Sequence, residues 1–123
     1  MALIFEQEEN FQEAINRLKN IVAENPQSVE ALFQLGRIYY NNNQTDEAVS
    51  QFQQVIQFFP NHSNSLYALG MAYQKKGQKD EAIKIFEKVL ELNPGNQDVI
   101  NKIDELKKPA STPVPTSTPE ENK

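Results

Sequence analysis

The feature that most constrains this chain is a recurrence at 34 residues. Laid over residues 63–96 without a gap, residues 29–62 are identical at eleven positions: Leu32/Leu66, Leu35/Leu69, Gly36/Gly70, Tyr39/Tyr73, Gln44/Gln78, Asp46/Asp80, Glu47/Glu81, Ala48/Ala82, Phe52/Phe86, Val55/Val89 and Pro60/Pro94. A gapless recurrence of this kind asks for one structural unit used twice. In each copy Leu, Leu, Gly and Tyr fall at i, i+3, i+4 and i+7, a single stripe of an α-helix. A second stripe runs Ala48, Phe52, Val55, Phe59 and returns as Ala82, Phe86, Val89. Between the stripes lie NNNQT and KKGQK, polar stretches suited to a tight turn. Pro60 and Pro94 stop the second helix, and Ser28, His62 or Ser63, and Asn96 are candidate N-caps for the helices that follow. Each copy reads as two antiparallel helices sharing an apolar face.

Gly36 and Gly70 stand inside these first helices, where glycine costs about 0.5–1 kcal/mol relative to alanine. They recur in register with Ala48 and Ala82, which predicts a close approach of the two helices at the small residues. A tolerated surface glycine gives no reason for that register.

A 34-residue unit with Leu, Leu-Gly, Tyr, then Ala, Phe, Val and a closing Pro resembles the tetratricopeptide repeat (TPR). Leu32 and Leu66 stand where the family prefers tryptophan, and Val55 and Val89 replace a later alanine. The resemblance implies an all-α solenoid of stacked hairpins that acts as a protein-interaction scaffold. Tracing the period backwards places Pro26, Ala14, Leu18 and Ile21 on Pro60, Ala48, Phe52 and Val55. Residues 1–28 are therefore expected to hold a partial repeat, the end of a first helix plus a second helix, as though a longer array were cut. Residues 29–62 and 63–96 form two full repeats. Residues 97–108 keep the apolar spacing at Val99, Ile100, Ile103 and Leu106, but Asp104 replaces the glycine and Lys107 the tyrosine. That suits a capping helix with a polar outer face. Residues 109–123, rich in Pro, Ser and Thr without periodicity, are expected to form a disordered tail.

Charge narrows the function classes. Residues 1–62 carry three Lys/Arg against eight Asp/Glu, residues 63–108 eight against seven, and the whole chain is −5. No concentrated basic face is available for phosphates, which argues against a nucleic-acid partner. Without cysteine there is no disulfide, thiolate zinc site or cysteine nucleophile, and no clue to compartment. MALIF is too short for a membrane span. A cytoplasmic location is the default expectation, though the soluble end of an anchored or exported protein has the same signature.

Nor does catalysis find its groups. His62, the one histidine, sits in a turn where capping outweighs metal or proton chemistry. Asp46–Glu47 and Asp80–Glu81 open the second helices, where they complement the helix dipole. Glu6, Glu8, Glu9 and Glu13 read as a solvated face. Lys75, Lys76 and Lys79 make a small basic spot. Asn43 and Asn61 match the glycosylation acceptor pattern but lie in turns rich in such residues anyway. No enzyme activity, cofactor or metal is expected.

What remains is a surface. In TPR proteins the second, fifth, ninth, twelfth and thirteenth residues of each repeat line the concave face. The resemblance carries these onto Glu30, Phe33, Arg37, Tyr40 and Asn41, then Asn64, Tyr67, Met71, Gln74 and Lys75, with Asp98, Asn101 and Glu105 from the cap. Phe33, Tyr40, Tyr67 and Met71 lie off the Leu-Leu-Gly-Tyr stripe, and aromatics and methionine anchor bound peptides well. The alternative is that they fill gaps between hairpins. One TPR subgroup clamps acidic carboxy termini with Lys, Asn and Arg. At those positions this chain has Phe33, Arg37, Ala68, Asp98 and Lys102, so that clamp is missing and Asp98 opposes a carboxylate. The expectation is a protein or peptide partner held by apolar anchors, with Arg37 and Lys75 tuning charge. A second expectation is self-association through the amino-terminal edge, where Ala14, Leu18 and Ile21 lack a partner helix.

Overall fold

The computed structural model describes residues 2–108, with side chains from residue 10 onward. The expected tail at 109–123 lies outside the described residues. Six helices and no strand make up the described chain: α1 (Ala2–Glu24), α2 (Val29–Asn41), α3 (Thr45–Phe58), α4 (Ser63–Lys75), α5 (Lys79–Leu92) and α6 (Gln97–Lys107). The protein is an all-α solenoid in which α2–α3 and α4–α5 are antiparallel hairpins.

Local chemistry sets the boundaries. Ser28, His62 and Asn96 cap α2, α4 and α6, each accepting a backbone N–H from three residues on: Ala31 at 3.2 Å, Ser65 at 3.2 Å and Val99 at 3.2 Å. Each satisfies one of the four N–H groups that every helix start leaves open. Both hairpin turns close the first helix in the same way. The N–H of Gln44 donates to Tyr39 O (2.8 Å) and that of Asn43 to Tyr40 O (3.1 Å). Gln78 and Gly77 repeat the pair on Tyr73 O and Gln74 O. This paired closure places one residue in the left-handed region. Asn43 takes it at φ 63° and Gly77 at φ 81°. Phe59 and Asn93, each just before a proline, are extended at φ −135° and −145°, because the proline ring disfavours helical geometry in the residue preceding it. Phe59 consequently leaves the apolar stripe predicted for it and is 43% exposed.

The core follows the two stripes. Leu32, Leu35, Tyr39, Ala48, Phe52 and Val55 are buried in the first hairpin, as are Leu66, Leu69, Ala82, Phe86 and Val89 in the second. The glycine has a partner other than the one predicted. A Cβ on Gly36 would stand 2.5 Å from Phe52 Cε1, and one on Gly70 2.6 Å from Phe86 Cε1. The missing side chain makes room for a whole aromatic ring, which Ala48 and Ala82 do not supply.

Successive helices pack in chain order, and the backbone of α2 also comes within 8 Å of that of α4, whereas the backbones of α3 and α5 stay farther apart. The stack is therefore tighter along α2 and α4, which puts these helices on its inner side. Three side-chain ties join the hairpins. Gln53 donates to the Tyr73 hydroxyl (2.6 Å), Lys75 Nζ donates to Tyr40 O (3.2 Å) and Asn43 Oδ1 (2.9 Å), and Lys76 pairs with Asp46 at 2.5 Å. The predicted basic spot is thus largely committed to holding the hairpins together.

The two ends differ. Helix α6 buries Val99, Ile103 and Leu106 and turns Asp104, Glu105 and Lys107 outward. Helix α1 runs unbroken where the pattern predicts the end of one helix and the start of another. QEENF, at the position of the later turns, contains neither glycine nor a second asparagine, and Glu and Gln favour helix. Of its apolar residues, Ile15 is buried, with Leu18 and Val22 packed against the same cluster. Ile21 stays 47% exposed, where its counterparts Val55 and Val89 are 0% and 3%.

Candidate functional site

The inner side of the stack carries two adjoining clefts. The first, about 260 Å³, lies between α2 and α4, and its walls are Phe33, Arg37, Tyr40, Asn41, Phe52, Asn64, Tyr67, Ala68 and Met71. Seven of these belong to the set carried over from the repeat pattern. The second cleft, about 340 Å³, lies beyond Tyr67 toward α6 and is bounded by Ser63, Asn64, Tyr67, Val89, Asn93, Asn96 and Asp98. Asn64 and Tyr67 border both, so the clefts adjoin.

Helical register explains the first cleft. Phe33, Arg37 and Tyr40 lie at i, i+4 and i+7 on α2, and Tyr67 and Met71 at i and i+4 on α4, each one residue beyond the core stripe. Their rings are half-buried rather than free. Phe33 lies against Phe52 with centroids 5.9 Å apart and edge-on to His62 at 5.8 Å, and Tyr67 lies against Phe86 at 5.9 Å. Both proposed roles therefore apply to these rings: one side completes the hairpin core and the other faces the groove. Phe52 contributes the floor and Ala68 a wall. Gly36, whose missing side chain lets the Phe52 ring reach in against α2, is the signal by which the floor could have been found.

The remaining predicted residues fall elsewhere. Lys75 Nζ sits 4.4 Å from the Tyr40 ring centroid and donates to the end of α2, so it braces the rim and lies outside the walls of both clefts. Gln74 is half-buried, and its Oε1 has no hydrogen-bond partner among the described residues. Glu30 accepts from Gln34 (3.0 Å), Asn101 accepts from Gln97 (3.1 Å), and both are exposed outside the clefts, as is Glu105.

Polar chemistry gathers at Tyr67. Its hydroxyl donates to Asp98 Oδ2 at 2.6 Å, linking α4 to α6. Burial first, then this hydrogen bond and the carboxylate's charge, push the hydroxyl up to about 12. It therefore remains a donor throughout the physiological range. Lys102 Nζ lies 6.0 Å from the Tyr67 ring centroid, and the Arg37 guanidinium lies 5.9 Å from that of Phe33. No group of three metal-ligating side chains occurs among the described residues, and no described helix is long and apolar enough to cross a membrane.

Comparison with known proteins gives the following. Family models described as tetratricopeptide repeat match residues 6–69 and residues 63–96. No curated protein matches by sequence. Among solved structures, MamA superposes with a TM-score of 0.75 at 23% identity, over 82% of this chain and 59% of that one. The first TPR domain of Spaghetti (RPAP3), bound to the HSP90 peptide SRMEEVD, has a TM-score of 0.74 at 20% identity, covering 83% and 81% of the two chains. YrrB, described as a TPR protein with an unusual peptide-binding site, has a TM-score of 0.71 at 26% identity, covering 83% and 53%. The chain thus spans little more than half the length of the MamA and YrrB chains.

Proposed function

The chain belongs to the tetratricopeptide repeat family, and on that footing we propose that it binds a peptide or extended partner segment in the groove along α2 and α4. The observation that carries this reading is the 260 Å³ cleft walled by Phe33, Tyr40, Tyr67 and Met71. A cleft that is apolar with a few convergent polar groups is the usual form of a recognition site. Anchoring is apolar and aromatic rather than a clamp on a terminal carboxylate, since Asp98 and Phe33 occupy positions where that clamp needs Lys or Asn. YrrB, a relative in fold, is a peptide binder, which favours the same use here.

The test is selection of random twelve-residue peptides displayed on phage against the immobilised chain, followed by binding measurements on Met71→Glu. Met71 is half-buried and faces the cleft, so the charge should reduce affinity at least tenfold with little loss of helicity by circular dichroism. Phe33→Ala and Tyr67→Ala are poorer probes, because their rings also complete the core. Undiminished binding by Met71→Glu sinks the groove.

A second reading is favoured by one observation, the 47% exposure of Ile21 on α1. It holds that two copies associate through this edge. Light scattering that shows a monomer up to millimolar concentration would eliminate it.

A further inference from the structure

We propose that the groove takes an extended peptide with a fixed order of charge: an acidic residue beside Arg37, an apolar residue in the cleft between α2 and α4, and a basic residue beside Asp98. This rests on the groove reading and adds to it the chemistry and direction of the ligand.

The two clefts carry opposite charge. In the first, Arg37 is the one ionised wall; its side chain is exposed beside the Phe33 ring and makes no ion pair among the described residues. A guanidinium beside a ring is held in place by the aromatic face while its donors remain free for a carboxylate. In the second cleft the walls are hydroxyl, amide and apolar groups apart from Asp98. Asp98 Oδ2 accepts from Tyr67, while Oδ1 has no protein donor among the described residues. Lys102, one helical turn beyond Asp98 on α6, lies 6.0 Å from the Tyr67 ring centroid, outside the cleft's walls, and makes no ion pair with Asp98. An incoming ammonium or guanidinium meets a carboxylate there that has no ion-pair partner among the described residues.

Asn64 and Tyr67 belong to both clefts, so a single strand can cross from one to the other. Its path covers two interhelix steps of about 10 Å each and about seven residues of helix rise, roughly 20–25 Å in all. An extended chain spans that with six or seven residues. Burial of the apolar residue supplies most of the affinity, and the flanking charges fix direction, since rim charges contribute more to orientation than to strength.

The phage selection tests this through a separate readout. Selected peptides should place an acidic residue and a basic residue six or seven positions apart on opposite sides of an apolar one, always in the same order. By fluorescence anisotropy on synthetic copies, Arg37→Gln and Asp98→Asn should each weaken binding about three- to tenfold. Exchanging the two charges within the peptide should produce both losses together. Asp98→Asn keeps an acceptor for the Tyr67 hydroxyl, so it separates charge from the α4–α6 link. Peptides that share apolar residues but show no charge order, and that bind both variants normally, overturn this inference and leave the groove reading standing. Failure to select any peptide ends both. Selection only after removal of residues 109–123 assigns the groove to the chain's own tail and likewise overturns the proposal.

Discussion

The two hairpins are alike where they face each other's interior and unlike where they face the groove. Gly36 and Gly70 admit Phe52 and Phe86 at the same distances within 0.1 Å, and both turns carry the same pair of hydrogen bonds. On the groove side, Phe33 of the first hairpin becomes Tyr67 in the second. Asn64, one repeat further on, becomes Asp98. With those two changes a hydroxyl meets a carboxylate between α4 and α6, where a phenyl ring and an amide border an open cleft between α2 and α4. Positions held constant between copies maintain the frame, and positions that vary determine what each cleft can accept.

The sharpest way to break this comparison is to attack the shared frame. Phe52→Ala and Phe86→Ala should each destabilise by about 3–5 kcal/mol, and Gly36→Ala and Gly70→Ala by about 1–2 kcal/mol, overpacking against a fixed ring outweighing the gain in helix propensity. Urea unfolding should rank the two members of each pair equally. A difference beyond about 1 kcal/mol within a pair would show that the hairpins are not energetically equivalent.

A smaller effect is expected at Ser65, whose hydroxyl is fully buried without a partner among the described residues, while its counterparts Ala31 and Val99 are apolar. Ser65→Ala should raise stability by about 1 kcal/mol, as relief of an unsatisfied group. No gain in thermal midpoint would mean that the hydroxyl is satisfied in solution.

The smallest effect sharpens the contrast between clefts. Tyr67→Phe removes the link to Asp98 from an exposed position and should cost no more than about 1 kcal/mol. The raised hydroxyl gives its contribution a definite pH range. It is fully present below the ordinary tyrosine value of 10.0 and is lost as pH rises through about 12. Stability of the parent should therefore fall across that interval more steeply than that of Tyr67→Phe, and identical slopes would show that neither burial nor the Asp98 bond raises the hydroxyl.

Periodicity exposed most of the frame in advance, because a stripe at helical spacing with caps and prolines at its ends has few other solutions. Ser28, Asn96, Leu32, Leu66 and the turn at Gly77 were all readable in this way. The failures share a physical cause: a repeat reports which positions are equivalent but not which side chain fills a given space. Register pairs Gly36 with Ala48, yet the space it leaves is taken by the Phe52 ring. Phe59 fitted the stripe until its place before Pro60 forced it extended. Spacing places Phe33 and Tyr67 off the core stripe, but their stacking on Phe52 and Phe86 depends on ring orientation, which spacing does not encode. Helix α1 ran on because a turn needs residues that break helices, and the repeat offset alone does not provide them.

The reach of Lys75 into the end of α2 bears on how the protein is made. The carbonyl of Tyr40 receives a donor that lies 35 residues further along the chain. As synthesis proceeds from the amino terminus, the first hairpin closes its own turn through Asn43 before Lys75 emerges, and the lysine then adds a second donor that ties the end of α2 to α4. The first hairpin is thus braced by its successor, so this last tie should form one repeat behind the synthesis of α2 itself.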